Sequence, residues 1–302
     1  AGQFDLAMIK PVGEASTKMQ MLQSGQADIV DSLPFEQLQL LRKEPHVVVQ
    51  DTVSWQNLLA FFNTQKKPLD DARVRQALSY AFPYSSVVDD VMHGTAVQAR
   101  GPVPKGLWGH DDQLFQYVTD LQKAKELLDQ AGVQNLNLKL TYTAGDENER
   151  RTAELWKASL AQIGVTLDIQ GLPWEPQWDL AKARDPKQRQ DILMMYWWPD
   201  YATPYSFLFN MFHSEDTVNF NLAYYSNSRF DQLTDEANVV SATDRGQAID
   251  LFKQAQEILV KDAPAVFIYD QLYQRPYRDT IGGYRDNPAY PNVVFFYDLY
   301  RK

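Results

Sequence analysis

The sequence predicts an α/β protein built around a parallel sheet. The segment 136–172 alternates as strand, helix and strand, a unit that sets two parallel strands side by side through a right-handed crossover. The run Asp191–Trp198 is almost continuously apolar, which is typical of a strand buried on both faces of a parallel sheet. Helices with apolar stripes alternate with strands along most of the chain, as the α/β class requires.

The first elements are short. Ser16–Gly25 is predicted as a helix that Ser16 and Thr17 cap and that Gly25 ends. Pro34 stands in the first turn of a second helix, where its missing N–H costs nothing. The predicted elements up to residue 63 are the strand Phe4–Ile9, the helix Ser16–Gly25, the strand Ala27–Leu33, the helix Phe35–Lys43, and the strands Val47–Gln50 and Asn57–Asn63.

A helix with an acidic start follows Pro68. Asp at the N-cap accepts the free N–H groups of the first turn, so Asp70 and Asp71 predict a helix beginning there. Pro and Gly recur at short intervals in Arg100–Gln113, which predicts a loop. The other predicted helices of this region are Ser85–His93 and Leu121–Ala131, the second ended by Gly132.

The clearest unit comes next, and helices and strands follow it to the end of the chain. Leu136–Thr143 and Val165–Leu172 alternate as strands around the helix Glu147–Gly164. The late elements are the helices Ser228–Asn238 and Asp244–Asp262 and the strands Ala265–Gln271 and Val293–Tyr300.

Composition and charge exclude several functions. The chain has 302 residues, a formal net charge of −10 and no cysteine. This charge argues against nucleic-acid partners and anionic membrane surfaces, and the lack of Cys excludes disulfides and thiolate metal sites. No apolar run is long enough to span a bilayer. The opening AGQFDLAMIKPVG has neither an initiator Met nor a signal peptide, which fits either a mature secreted protein or a piece cut from a longer chain.

Catalytic and cofactor motifs are missing from the sequence. It contains no serine elbow, phosphate loop, dinucleotide-binding glycine pattern or pair of histidines at metal-ligand spacing, so we expect no cofactor and no metal. His110, Asp111 and Asp112 are interpreted as a solvated loop rather than a metal site. A glycosidase-like carboxylate pair stays possible, although nothing picks out two carboxylates. The balance favours a binding protein over an enzyme.

One acid stands among aromatic residues in YWWPDYATPYSF, residues 196–207. Asp200 follows a buried strand, and ligands of open α/β sheets bind beyond the carboxyl ends of strands. It is therefore either an anchor for a cationic ligand group or a cap for a helix beginning near Tyr205. Strand alternation lets only one of Trp197 and Trp198 face a cleft.

Several motifs resemble one family in both sequence and order. They are MLQSGQADIV, FFNTQKKPLDDARVRQALSYAF, GPVPKGLWGHDD, DLQKAKELLDQAG, WWPDYATPYSFL, NLAYYSNSRFDQLTDEA and FKQAQEILVKDAPAVFIYDQ. Together they are similar to the extracytoplasmic solute-binding proteins of ABC importers, in the family that takes up dipeptides, oligopeptides and nickel. The likeness covers nearly all of residues 19–271 and matches the later half of that family's members.

This resemblance implies a fold and a domain organisation. The fold would be like that of type II periplasmic-binding proteins, with mixed, mainly parallel sheets, helices on both faces, and two lobes that close by a hinge. Residues 63–271 would form the complete second lobe. Residues 1–62 and 272–302 would be the remaining pieces of the first lobe.

The resemblance also implies a function and a site. A peptide or peptide-like solute would bind between the lobes, and a monomeric, non-enzymatic protein would deliver it to the permease subunits of the importer. The protein would be periplasmic, or lipid-anchored outside a Gram-positive cell. Asp200 would pair with the ligand's amino group between aromatic walls, and backbone groups of the strand around Asn57 and Asn63 would contribute near the hinge. The implied walls are Trp174, Trp197, Trp198 and Tyr201.

The sequence departs from the family at two places. Many relatives carry a second acid at the position of Thr203, and some dipeptide binders have Arg-Pro-Tyr where this chain has TAGDENERR. Arg150 and Arg151 are expected on the exposed face of their helix rather than on a ligand carboxylate. The ligand class therefore stays open at this point, with a metal chelate, an oligosaccharide or an opine as alternatives to a peptide, and a hydrolase with an unrecognised carboxylate pair as the rival from another class.

Overall fold

The architecture is taken from a computed structural model of the chain, which describes residues 3–31, 33–290 and 293–302. The α-helices are α1 Ala15–Ser24, α2 Phe35–Leu41, α3 Ala72–Tyr80, α4 Tyr84–Ser86, α5 Leu121–Gln130, α6 Glu147–Ala161, α7 Trp174–Ala181, α8 Pro204–Phe212, α9 Ser228–Val240 and α10 Arg245–Asp262. The strands are β1 Val47–Phe62, β2 Ala96–Gln98, β3 Asn137–Thr143, β4 Thr166–Leu172, β5 Ile192–Trp197, β6 Ala265–Arg278, β7 Ile281–Gly282 and β8 Tyr300–Arg301.

Six strands form a mixed sheet in the order β2-β6-β1-β5-β3-β4. β3 is parallel to both β4 and β5, which confirms the predicted crossover and the predicted parallel neighbour. β1 runs antiparallel to β5, with register pairs from Asn57↔Trp197 to Phe62↔Ile192. The carboxyl ends of β3, β4 and β5 consequently lie at one edge of the sheet.

Helices cover both faces of this sheet. Successive side chains of a strand point to opposite faces, and Phe61 and Phe62 of β1 are both buried. Phe61 packs on Phe212 of α8 with ring centroids 5.8 Å apart, whereas Phe62 packs on Trp156 of α6 at 6.2 Å. Apolar residues are therefore required at consecutive positions of β1.

The chain divides into two compact units. One comprises Ala1–Gln56 with Gln271–Lys302, and the other comprises Asn57–Asp270. The boundaries between the units fall within β1 and β6, after residues 56 and 270. The core of the first unit contains a cluster of buried aliphatic residues, Leu22, Val30, Leu33, Leu38 and Leu41.

Three predicted strands are wrong. Residues 4–9 form no strand, and Leu6 and Ile9 are 76% and 79% exposed. Of the predicted strand 27–33, an isolated bridge between Ile29 and Tyr277 is present, and Ser32 lies outside the described residues. The segment 293–300 contains a 3₁₀ turn, Phe296–Asp298, before the short β8. An alternating pattern makes a strand only where a neighbouring strand accepts its hydrogen bonds.

Smaller differences concern element ends. The strands predicted at 47–50 and 57–63 are parts of the single long β1. The helix predicted at 85–93 is a short α4 followed by the π-helical turn Val87–Val91. α1 begins after Glu14 without a side-chain cap, so Ser16 and Thr17 do not cap it, whereas Gly25 ends it in the left-handed conformation, as predicted.

Candidate functional site

Three loops meet where β3, β4 and β5 end. Because these strands are parallel, Thr143, Leu172 and Trp197 lie at the same edge of the sheet. Each strand is followed within a few residues by a helix, α6, α7 or α8. This carboxyl edge is where open α/β sheets place their ligands.

Asp200 lies in the turn between β5 and α8. Its backbone N–H donates to Ser206 Oγ at 2.9 Å, and Asn210 Nδ2 donates to its Oδ2 at 2.7 Å. The N-cap of α8 is Thr203, whose side chain makes no capping hydrogen bond. Asp200 is therefore not the helix cap, although it is attached to α8, and it stays exposed to solvent.

The two tryptophans before Asp200 have different environments. Trp197 is only 8% exposed and meets Phe220 edge-on with ring centroids 5.8 Å apart. Trp198 is 40% exposed, and Tyr201 is 47% exposed. Alternation along the strand thus separates the pair as expected, and the two exposed rings flank the exposed carboxylate of Asp200 in sequence.

Trp174 opens α7 at the same edge and begins a row of aromatic rings. Its ring lies 5.3 Å from that of Trp178, and Trp178 lies 5.8 Å from Phe220, which contacts Trp197. Lys182 Nζ lies 4.7 Å from the centre of the Trp178 ring, a cation–π distance. Trp178 and Phe220 were not predicted as site residues. The four-residue spacing of Trp174 and Trp178 on one helix could have indicated the first, but no local signal indicates Phe220.

The two predicted asparagines lie at opposite ends of the β1–β5 pair. Asn57 is the register partner of Trp197, and its buried side chain donates from Nδ2 to the carbonyl of Pro102 at 2.9 Å. Asn63 follows the pair Phe62↔Ile192 at the start of β5, and its Nδ2 donates to the carbonyl of Pro186 at 3.0 Å. The structure therefore brings Asn57 to the aromatic end of the sheet and places Asn63 away from it.

The turn after β3 is held by two carboxylates, the half-buried Asp146 and the buried Glu149. Asp146 caps α6 by accepting the Glu149 N–H at 2.9 Å, and Glu149 reaches back to accept the Thr143 N–H at 2.6 Å. Burial, followed by the charge of Asp146, raises the pKa of Glu149 to about 8. Burial also raises the pKa of Asp146. These two groups stabilise the turn by accepting its backbone N–H groups.

The arginines of α6 are engaged elsewhere. Arg150 and Arg151 both pair with Glu147, at 2.6 Å and 3.2 Å, on the exposed surface of the helix. This confirms their predicted exposure. A carboxylate clamp by either arginine has no support in this geometry.

The predicted loop at residues 100–113 shows no metal geometry. His110 Nε2 lies 3.4 Å from Asp112, while Asp111 pairs with Lys253. Within residues 3–31, 33–290 and 293–302, no group of three or more His, Cys, Asp or Glu side chains could hold a metal ion. In the same part of the chain, no helix has the length and apolar character needed to cross a membrane.

A cavity of about 910 Å³ lies in the first unit, lined largely by residues 4–13, 26–31 and 293–299. Its walls include the exposed apolar side chains of Leu6, Met8 and Ile9. None of the predicted site residues lines it, so the strand ends remain the better candidate for ligand recognition.

Comparison with known proteins identifies a family and similar structures. The model of the family described as bacterial extracellular solute-binding proteins, family 5 Middle, matches residues 3–219. A probable D,D-dipeptide-binding periplasmic protein of Escherichia coli is 31% identical over 291 residues, which are 96% of this chain and 55% of that protein. Heme-binding protein A of Haemophilus influenzae is 29% identical, over 94% of this chain and 52% of that protein.

Among solved structures, the periplasmic binding protein DppA of Helicobacter pylori in complex with the peptide STSA superposes with a TM-score of 0.86 and 26% identity. The match covers 96% of this chain and 56% of that one. The chain thus spans about half the length of the relatives it matches. The shared fold is that of the type II periplasmic peptide-binding proteins, which confirms the predicted fold class.

Proposed function

The chain belongs to the bacterial extracellular solute-binding proteins of family 5, and from this membership we propose that it captures a peptide or peptide-like solute for an ABC importer. The names of its relatives support a peptide, since they include a D,D-dipeptide-binding protein and a protein solved with the peptide STSA. These relatives are about twice as long as the part that matches this chain. The activity is therefore proposed for a protein of the relatives' full length.

The observation that carries this proposal is the exposed Asp200 at the carboxyl edge of the sheet. An ammonium group placed there would gain a charge-assisted hydrogen bond from the carboxylate. The exposed rings of Trp198 and Tyr201 would add cation–π and apolar contact. The free amino terminus of a peptide offers the cation, and its first side chains offer apolar surface.

We assign the unit Asn57–Asp270 to the second lobe of such a protein and the other unit to part of the first lobe. The exposed apolar side chains of Leu6, Met8 and Ile9 support the second assignment, because a complete lobe would cover such a surface. The protein would act as a monomer outside the cytoplasmic membrane, in the periplasm or on a lipid anchor, and would deliver its solute to the permease.

No chemical step is part of this proposal. The relatives named above are binding proteins, and two carboxylates close to the end of β3, Asp146 and Glu149, accept backbone N–H groups of the turn before α6. A hydrolase would need two carboxylates facing a shared cleft. A metal chelate, an oligosaccharide or an opine would be an outcome of a ligand screen by thermal shift, since any true ligand raises the melting temperature.

The test compares Asp200→Asn with the unchanged protein by calorimetry, using the peptide STSA and its N-acetylated form. Asn at position 200 keeps an oxygen for Asn210 but loses the charge, so we expect the free-amine peptide to bind about tenfold more weakly. Asp129→Asn removes the same charge from the exposed surface of α5 and serves as the matched control. Equal affinity of the Asp200→Asn variant and the unchanged protein for the free-amine peptide would remove Asp200 from the site.

A further inference from the structure

The turn that carries Asp200 is bonded to α8 at Asp200 itself, through Ser206 and Asn210, but the start of the helix has no side-chain cap. Residues 198 and 200–202 are exposed, and the N-cap residue Thr203 makes no side-chain capping bond. An N-cap bond normally contributes about 1 kcal/mol to such a helix start. Contacts from another segment to residues 202–204 would therefore add to the two bonds from α8 in fixing the orientation of Asp200.

Such contacts come from the loop Gly101–Asp112, called here the bracing loop. Trp108 Nε1 donates to the carbonyl of Ala202 at 2.8 Å, two residues beyond Asp200. The indole is itself fixed by α10, because Phe252 meets its ring edge-on at 5.8 Å and the guanidinium of Arg245 covers it at 4.3 Å. The donor is therefore directed at the turn before any ligand arrives.

Gly109 adds a second contact with the same turn. Its φ of +82° favours glycine, and a Cβ at this position would lie 2.5 Å from Cγ of Pro204, the first residue of α8. The carbonyl of Gly109 accepts a hydrogen bond from the buried Gln256 of α10 at 3.0 Å. The loop and the start of α8 thus approach so closely that no side chain fits between them.

The other end of the bracing loop is tied to the sheet. Asn57 donates to the carbonyl of Pro102 at 2.9 Å, and Asp270 Oδ2 accepts the Lys105 N–H at 2.9 Å. Both side chains are buried, and Asn57 and Asp270 are the first and last residues of their unit. The bracing loop therefore connects the points where β1 and β6 leave this unit with the turn that carries Asp200.

We propose that Trp108 and Gly109 are positioning residues for Asp200, through which the bracing loop fixes the orientation of the carboxylate toward a cationic ligand group. This proposal rests on the function proposed above for Asp200. It differs from a purely structural role in two respects: loss of the brace should reduce discrimination between an amine and its acetylated form, and it should loosen residues 198–207 selectively.

The first test needs no ligand. Trp108→Phe keeps an aromatic ring but removes the N–H donor, so hydrogen exchange of residues 198–207 should become about tenfold faster. Trp156→Phe is the matched control, because Trp156 Nε1 also donates to a backbone carbonyl, that of Leu78 at 3.3 Å, away from the turn. Unchanged exchange of 198–207 in Trp108→Phe, or equal acceleration in Trp156→Phe, would overturn the proposal.

A second pair of variants covers the case in which Trp108→Phe fails to fold. Gly109→Ala and Gly132→Ala both place a side chain at positive φ, but only the first meets a neighbour, because nothing lies within 4 Å of a Cβ at Gly132. Faster exchange of 198–207 in Gly109→Ala alone would support the brace. The same exchange in both variants would count against it.

The ligand test then uses the ratio of the dissociation constants of N-acetylated and free-amine STSA. This ratio should fall at least about threefold in Trp108→Phe and Gly109→Ala and stay unchanged in Trp156→Phe and Gly132→Ala. If the unchanged protein does not distinguish the two peptides, the proposed role of Asp200 fails and the positioning role fails with it. If it does distinguish them and the ratio is the same in all four variants, only the positioning role is overturned.

Discussion

Asn210 Nδ2 donates a 2.7 Å hydrogen bond to Asp200 Oδ2, and this bond attaches the exposed carboxylate to the second turn of α8. The backbone N–H of Asp200 is bonded to Ser206 in the same helix. Two side chains of one helix thus hold the residue that the sequence left as either a ligand anchor or a helix cap. The contact restricts the carboxylate to one part of its rotamer range.

Replacing Asn210 with Leu should therefore weaken binding of a cationic ligand without removing any charge. We expect a three- to tenfold higher dissociation constant for free-amine STSA, because a hydrogen bond to a charged but exposed group contributes about 1 kcal/mol. Calorimetry with the free and the N-acetylated peptide measures the effect. Asn238→Leu, on the exposed face of α9, is the control for an added leucine. A loss of affinity for both peptides alike would point to damage of the whole site.

Trp197 and Trp198 should separate stability from binding. Trp197→Ala removes a buried ring that packs on Phe220, so we expect unfolding to cost about 3–5 kcal/mol less. Trp198→Ala changes a largely exposed side chain and should alter the unfolding free energy by about 0.5 kcal/mol or less while weakening ligand binding. Urea denaturation gives the first quantity and calorimetry the second. A large stability loss in Trp198→Ala would show that its ring packs internally.

Elements with strong local sequence signals could be predicted, whereas segments whose structure depends on distant partners could not. The crossover at β3, α6 and β4 was predictable because its strands alternate and its helix carries caps, Asp146 among them, within a few residues. The strand predicted at 4–9 failed because pairing depends on a neighbouring strand, which the local pattern does not encode. Whether such a segment forms a strand depends on partners that are distant in the sequence.

The same reasoning applies to the site. The sequence proposes Asp200 because it follows the end of a recognisable strand, and the resemblance implies Trp174, Trp197 and Trp198 beside it. Phe220 and Trp108 contact these elements from positions in the chain with no local signal of that contact. Asn57 and Asn63 were named together because the resemblance implies that their strand contributes near the hinge, and the antiparallel register with β5 places Asn57, but not Asn63, beside Trp197. Which residue of β1 lies beside Trp197 depends on how β1 pairs with β5, and the sequence of β1 does not reveal that pairing.

Asn63 should accordingly act on stability and not on binding. Asn63→Ala leaves the carbonyl of Pro186 without its amide donor, which should lower the unfolding free energy by about 1–3 kcal/mol. The dissociation constant for STSA should not change. Asn57→Ala provides the contrast, because it releases Pro102 of the bracing loop and should affect both stability and affinity. If Asn63→Ala bound STSA more weakly at unchanged stability, Asn63 would have to be counted among the ligand-binding residues.

Glu149 should make the unfolding free energy depend on pH. Its pKa is raised from an ordinary value of 4.5 to about 8, first by burial and then by Asp146. The folded state therefore holds a proton that the unfolded state releases between these values, so the unfolding free energy should fall as the pH rises from about 4.5 to about 8. Asp270, whose burial raises its pKa to about 7, contributes in the same direction.

Glu149→Gln should reduce this slope. Glutamine imitates the protonated acid and can still accept the Thr143 N–H, so the variant should be more stable than the unchanged protein above about pH 8 and similar to it near pH 5. Urea denaturation between pH 5 and 9 measures the difference. Glu154→Gln, an exposed change on the same helix, should leave the slope as it is. A steeper slope in Glu149→Gln, or a variant less stable at high pH, would contradict a protonated Glu149, because the folded state would then gain stability from the ionised carboxylate at the turn between β3 and α6.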